Sequence, residues 1–342
     1  MRIALVTPCT LPFACGNSLL VERLRAGLAA RGHEVAIFGI HTDTVEAAVR
    51  FAPDIVHSLH AIKPALWLAD LFLEISVPWL ITLTGTDYNS PQDYGAEYGM
   101  LAQQFAHASA IVVFHDEARV WVAEHFAQAA GKVFVIAQGI ELRQAVVDRS
   151  AVRQRFGIST DEILFFMAAG IRPVKNICFA LDVFAALRKR HPLARLLLAG
   201  PVIDAGEADR VFAKASGLTG FSYIGEIAHD GVLDLMAAAD IFMNVSLHEG
   251  MPGAVLEAMA EGLPVLASDA PGNRALVQHG ITGLLEPLAS LNGFIDAACS
   301  LAADANTRLT MGKAARQSAG GFSMLREIEK YEKVYTRLAK SL

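Results

Sequence analysis

The sequence predicts an α/β protein made of two Rossmann-like, doubly wound domains facing an interdomain cleft. Three observations carry this. Short apolar β-type runs alternate with longer helical patterns, the alternation occurs in two successive blocks, and 342 residues exceed the ~250–300 that one core usually fills. In the first block RIALVTP leads into the amphipathic run SLLVERLRAGLAARG, which closes at Gly32. EVAIFGI, DIVHSL, PWLITLTG, AIVVF and KVFVIAQG follow. The second block holds EILFFMAAG, ARLLLAG, SYIGE, IFMNVS, PVLAS and TGLLEP, with helical patterns such as NICFALDVFAALRKRHP, DGVLDLMAAAD and GAVLEAMAEG between them. Continuous apolar strands alternating with helices indicate parallel sheets covered on both faces. The polar, strandless stretch AQGIELRQAVVDRSAVRQRFGI sets the boundary within 140–160. The expected domains are 1–145 and 146–323, with a C-terminal helix from about 324 to 342 that returns to the first domain.

Composition narrows the function. The chain is 53% hydrophobic and 19% charged, and its net charge of −6 disfavours a nucleic-acid partner, which needs a concentrated basic face. The cysteines, Cys9, Cys15, Cys178 and Cys299, lack metal-ligand spacing and read as reduced core thiols. MRIALVTP is too short for a signal peptide, and the apolar runs fall below the ~20 residues of a membrane span. A cytoplasmic protein is expected, with peripheral membrane contact and oligomeric state open.

Ligands of open parallel sheets bind beyond the carboxyl ends of the strands, so the strand-to-helix loops are the segments to read. After the first strand, Gly16 and Asn17 precede a helix whose free N–H groups suit a phosphate, although Ser18 as a plain N-cap explains the same residues. The loop lacks G-x-G-x-x-G, so no nicotinamide cofactor is indicated. In AAGIRPVKN, Arg172 and Lys175 stand at a strand's carboxyl end just before a helix, against the ordinary preference for acids there. A bound diphosphate would resolve that conflict, with Arg forking onto two oxygens and Lys supplying a point charge; two solvated cations are the alternative. In EGMPGAVLE, Glu249 and Glu257 bracket an otherwise uncharged segment. Gly250 and Gly253 leave room for backbone to approach a ligand. Thr84, Gly85 and Asp87 in TLTGTD, and His115 in VVFHDEARV, follow strands of the first domain and are candidate acceptor-side residues, with an N-cap role as the alternative for Asp87. His57, His60 and His248 read as satisfied core or loop histidines, and Arg274 as a possible phosphate or carboxylate contact.

The segment EGMPGAVLEAMAEGLPVLAS resembles the signature of retaining, nucleotide-sugar-dependent glycosyltransferases of the GT-B fold, family 4 type. GIRPVKN is similar to that family's Arg and Lys pair, and RGHEV at 31–35 is another of its marks. These segments stand in the family's order over about residues 1–330. GNS, LTGTDYN, AAGIRPVK and APGNRALV resemble more narrowly the glycosyltransferase 1 domain-containing proteins. The resemblance implies that Glu257 holds the donor ribose, that Glu249 holds sugar hydroxyls near the anomeric carbon, and that the backbone of Gly250, Met251, Pro252 and Gly253 lines sugar and diphosphate. It implies that Arg172 and Lys175 neutralise the departing diphosphate, with Gly16 and Asn17 closing over it from the other domain. Two positions depart from the pattern: Thr84 stands where the family often has His, and Asn17 where many members have a second Gly.

The expected activity is hexosyl or N-acetylhexosaminyl transfer from a nucleotide-diphosphate sugar to an unidentified saccharide, lipid-linked glycan or small molecule, with retention. UDP-sugar is favoured over GDP- or ADP-sugar, and no cofactor is expected. The chain contains no Asp-x-Asp, so the two cations are expected to take a divalent metal's place and catalysis to be metal-independent. Rival readings are a GT-B-fold phosphorylase, a nucleotide-sugar epimerase, or a non-catalytic nucleotide-sugar-binding protein.

Overall fold

The computed structural model describes every residue except 12–15, 90–95, 144–146 and 341–342, and the side chains of 96 and 97. The described chain divides into two compact units, Met1–Gly139 with Phe322–Leu342, and Ile140–Gly321. The boundary expected at 145–146 lies outside the described residues.

In the first unit the strands are β1 (Arg2–Thr7), β2 (Glu34–Gly39), β3 (Ile55–Leu59), β4 (Trp79–Thr82), β5 (Ala110–Val113) and β6 (Val133–Val135). They form one sheet in the order β2-β1-β3-β4-β5-β6, and every pairing is parallel. The second unit has β7 (Ile163–Ala168), β8 (Ala194–Ala199), β9 (Phe221–Tyr223), β10 (Ile241–Asn244), β11 (Val265–Ser268) and β12 (Gly283–Glu286). Their order is β12-β11-β10-β7-β8-β9, again all parallel. Every run read as a strand in the sequence is one. The reason is burial on both faces: β3, β4 and β5 are fully buried strands, as are β10 and β11, so a continuous apolar run is the pattern they need.

The strand orders decide where ligands can bind. In each sheet the winding reverses once, between β1 and β3 in the first and between β7 and β10 in the second. At such a switch point neighbouring loops leave in opposite directions and open a crevice beyond the strands' carboxyl ends.

Helix Met324–Ala339 is part of the first unit. Polar contacts fix its register. Glu327, whose side chain is fully buried, pairs with Arg23 at 2.9 Å, and Glu332 meets Arg31 at 2.7 Å and His33 at 3.0 Å. Gly27 permits the close approach, since a Cβ there would lie 2.5 Å from Ile328 Cγ1. Deeper in, Tyr335 and Tyr331 reach the sheet. His57 Nδ1 lies 2.6 Å from the Tyr335 hydroxyl and Nε2 2.8 Å from Thr82 Oγ1, which in turn meets the Tyr331 hydroxyl at 3.1 Å. His57 is therefore the satisfied core histidine its sequence context suggests. Cys9 is disulfide-bonded whereas Cys178 and Cys299 are free, so the reading of four reduced thiols fails at Cys9. Bridging depends on Cα separation, which spacing along the chain does not report.

Burial pushes the His57 imidazole down from 6.5 to about 3. The folded state thus refuses a proton that the unfolded chain accepts, and stability falls as pH drops below 6.5 toward 3. The expected slope from this group is ~1.4 kcal/mol per pH unit. Chemical denaturation of wild type and His57→Gln from pH 7 to about 5 should show a shallower loss in the variant. Parallel slopes would assign the acid sensitivity elsewhere.

Candidate active site

The switch point of the second sheet gathers most of the residues singled out in the sequence. β7 ends at Ala168 and its loop carries Arg172 and Lys175; β10 ends at Asn244 and its loop carries Glu249. Pro173–Lys175 forms a single 3-10 turn with proline at its first position, and Asn176, at φ 51°, reverses the chain into helix Ile177–Arg190. Asn tolerates this left-handed backbone better than other non-glycine residues. The tight turn folds Lys175 back toward β10. Leu247 N–H donates to Val174 C=O at 2.8 Å, joining the two loops, and Lys175 Nζ stands 2.7 Å from Glu249 Oε1.

Glu249 is almost enclosed, with its side chain 10% exposed. Burial pushes its carboxyl up, but the Lys175 ammonium and hydrogen bonds from Lys175, Ser246 and Asn244 outweigh that and hold it below the usual carboxylate range. Asn244 Nδ2 donates to Glu249 Oε1 at 3.3 Å, while Asn244 Oδ1 accepts from Ser246 Oγ at 2.7 Å. The result is an ionised carboxylate of fixed orientation at a strand end.

Arg172 differs from its neighbour. Its Nε is buried without a hydrogen-bond partner, and its guanidinium pairs with no carboxylate among the described residues. A half-buried cation in that state is poised for an anion, because a desolvated charge is costly until something neutralises it.

The loop continues through Gly250, Met251 and Pro252 to helix Gly253–Ala260. Met251 is 4% exposed, so its side chain is packed into the unit. Pro252 is the N-cap residue, and no side chain caps the helix. A Cβ on Gly253 would meet nothing within 4 Å, so the space before this terminus is open. Glu257 lies one turn on, its Oε1 2.9 Å from His229 Nε2, at the start of helix His229–Ala238. Nothing in the local sequence signals that partner. Arg274 pairs with Asp269 at 2.9 Å.

The first unit's candidates occupy the carboxyl ends of its own strands. Gly16 and Asn17 open helix Gly16–Ala29, which places Ser18 inside the first turn instead of at the N-cap. The loop after β4 is organised around Asp87, which is 2% exposed. Its oxygens accept N–H groups from Gly85 at 2.8 Å, Thr84 at 3.1 Å and Ala61 at 3.2 Å. Asp87 therefore acts on the loops after β3 and β4 as a staple, and neither as an N-cap acid nor as a carboxylate left open for substrate. His115 caps helix Asp116–His125, its Nδ1 accepting from Ala118 N–H at 3.2 Å, and is 7% exposed. Its other ring nitrogen, Nε2, lies 3.4 Å from the Tyr88 hydroxyl.

His60, read in the sequence as a satisfied core or loop histidine, is a non-glycine residue at φ 80° and is 3% exposed. Its Nδ1 accepts from Ile62 and Lys63 N–H at 3.2 and 3.3 Å, so the ring proton sits on Nε2 and donates to Thr86 Oγ1 at 3.2 Å. No local motif signals such a residue. Among the described residues no cluster of His, Cys, Asp or Glu could hold a metal ion, and no helix is long and apolar enough to cross a membrane.

Comparison with known proteins places these features. Residues 161–304 match the family described as Glycosyl transferases group 1. The chain is 28% identical over 280 residues to glycosyltransferase 1 domain-containing protein 1 of Xenopus tropicalis, with 79% of each covered. It is 32% identical over 217 residues to D-inositol 3-phosphate glycosyltransferase of Kribbella flavida, covering 60% of this chain and 51% of that enzyme. The crystal structure of Anabaena Alr3699/HepE in complex with UDP and glucose is similar with a TM-score of 0.84 at 18% identity, over 99% of this chain and 100% of that one. Sucrose-phosphate synthase from Thermosynechococcus elongatus gives 0.85 at 20% identity over 100% of both. At these identities the structures establish the fold. The two parallel sheets share the GT-B architecture of these structures, and the family match to glycosyl transferases group 1 falls within the second unit.

Proposed function

We propose that the protein is a metal-independent glycosyltransferase that moves a sugar from a nucleotide-diphosphate donor to an acceptor with retention of configuration. The observation that carries this reading is Arg172, its Nε buried without a hydrogen-bond partner, on the same loop as Lys175 of the Lys175–Glu249 pair, at the switch point of the second sheet.

The chemistry follows from charge. As the bond from the anomeric carbon to the diphosphate oxygen breaks, negative charge gathers on that oxygen. Fixed cations stabilise this state more than the bound donor, and that difference is what accelerates a reaction. Arg172 supplies a whole uncompensated charge; Lys175, already paired, contributes less and also holds Glu249. The open N-terminus of helix Gly253–Ala260 adds N–H groups and the positive end of its dipole. Glu249 accepts hydrogen bonds from sugar hydroxyls, and Glu257 accepts those of the ribose once His229 shares or yields its oxygen. The acceptor oxygen attacks the anomeric carbon on the face the diphosphate leaves, and its proton passes to the departing phosphate oxygen. No carboxylate nucleophile is required. The absence of Asp-x-Asp from the sequence and the two cations together support catalysis without a divalent metal.

UDP is the favoured nucleotide, because an Anabaena structure of this fold holds UDP-glucose and a pneumococcal O-GlcNAc transferase, GtfA, holds UDP and GlcNAc. Acceptor recognition is placed on the loops after β3 and β4, where Thr84 and Gly85 present the backbone that Asp87 holds.

A thermal-shift panel of UDP, GDP and ADP with their glucose and N-acetylglucosamine derivatives tests the donor. A ligand at 100 times its Kd should stabilise by ~2.7 kcal/mol. Absence of a shift from every nucleotide sugar would end the proposal. Arg172→Ala should abolish the shift from the diphosphate and lower donor turnover by about 10²–10³-fold, the usual effect of removing one fixed charge-stabilising donor. Activity unchanged by EDTA, and a product whose anomeric proton coupling in NMR matches the donor's configuration, are the further expected outcomes.

A further inference from the structure

We infer that the turn Pro271-Gly272-Asn273, which is not itself among the expected donor-binding residues, positions Glu249 for sugar binding. The inference rests on the donor-site reading above and adds a second group of residues to it.

The turn follows β11 and begins helix Pro271–Arg274. Two separate contacts run from it to Glu249. The first is backbone against backbone. A Cβ on Gly272 would lie 2.6 Å from the Glu249 carbonyl oxygen and 2.8 Å from that of Gly250. Neither is the free end of a flexible side chain, so only glycine lets the Glu249 loop settle where it does.

The second contact is a chain of buried amides. Asn273 is 0% exposed and its Nδ2 donates to Ser268 C=O at 2.9 Å, which fixes the amide's orientation and leaves Oδ1 facing Asn244. Asn244 Nδ2 donates to that Oδ1 at 3.3 Å and to Glu249 Oε1 at 3.3 Å. The Asn244 amide is oriented in turn, because Ser246 N–H at 3.3 Å can only donate and therefore claims Oδ1. Ser268 Oγ donates to Ser246 C=O at 2.6 Å and ties the two strand ends together. Every amide in the chain has its partners, and the chain ends on the one carboxylate facing Lys175.

Stability alone gives no reason for this arrangement. Apolar side chains of similar size would join β10 to β11 without the desolvation penalty of two buried amides. A directed N–H is needed only where a charge must be held ionised and in one orientation. Two fully satisfied amides in a low-dielectric interior supply that rigidity.

The test compares UDP with UDP-glucose, since only the latter carries the sugar that Glu249 is read to hold. Binding of both is measured by calorimetry for wild type, Asn273→Leu, Asn244→Leu, Gly272→Ala and Glu249→Gln, alongside melting temperatures. The expected result is UDP affinity within about twofold of wild type and UDP-glucose affinity reduced about tenfold or more, the loss expected for a hydrogen bond to a charged group. Combining Asn273→Leu with Glu249→Gln should add no further loss. In Asn244→Leu the carboxylate loses a donor, so the pH below which UDP-glucose affinity collapses should rise. If Asn273→Leu does not fold, Asn273→Ser, which keeps a small polar group, carries the comparison. Equal losses for both probes in step with melting temperature would reduce the turn to a structural role, and unchanged UDP-glucose affinity would overturn the inference while leaving the donor reading intact. Wild type binding neither probe would overturn both.

Discussion

Glu249 is a carboxylate withdrawn from water at the end of a buried strand, and such a group is tolerable only while opposite charge and hydrogen bonds surround it. Much of the second unit's upper edge can be understood as meeting that requirement. Lys175 arrives from β7 because a proline-led turn and a left-handed Asn176 fold it back. Asn244 arrives from the end of β10 and Ser246 from the loop after it, and the backbone bond from Leu247 to Val174 holds the two loops at the right separation. Removing Lys175 alone would leave an uncompensated buried charge, so the pair is an all-or-none feature. Arg172, which this pairing leaves over, is then available to an incoming anion.

The two units solve a similar problem with different chemistry. In the second, a central carboxylate is surrounded by donors from side chains. In the first, Asp87 is surrounded by donors from the backbone, three N–H groups of two loops, and His60 accepts two more. A carboxylate saturated by main-chain amides has little left to offer a substrate and instead defines loop shape. Proximity to a strand end is thus insufficient to assign a binding role; what the oxygen atoms already accept decides it.

Strand positions and the chemistry-bearing loops were legible because both depend on short-range pattern. A strand buried on both faces must be continuously apolar, as ILFFMA and IVHSL nearly are, and cations set against a helix N-terminus advertise a conflict that a ligand would relieve. What could not be read depends on separations far along the chain. His229 meets Glu257 across 28 residues, Asn273 meets Asn244 across 29, and His57 meets Tyr335 across 278. The partners of Asp87 and His115 were hidden for a related reason. Their sequence context matches that of a cleft residue, and only coordinates reveal that backbone N–H groups occupy them first.

The placement of helix Met324–Ala339 bears on how the protein is made. It belongs to the first unit by contacts, yet the ribosome synthesises it only after all of Ile140–Gly321. Domains usually fold in the order of their emergence. Here the leading sheet waits, with His57, Thr82 and Arg23 lacking the tyrosines and glutamate that complete them, while the later sheet already has every strand it needs. The vectorial order of birth is therefore inverted: the unit translated second is the first to have all of its residues.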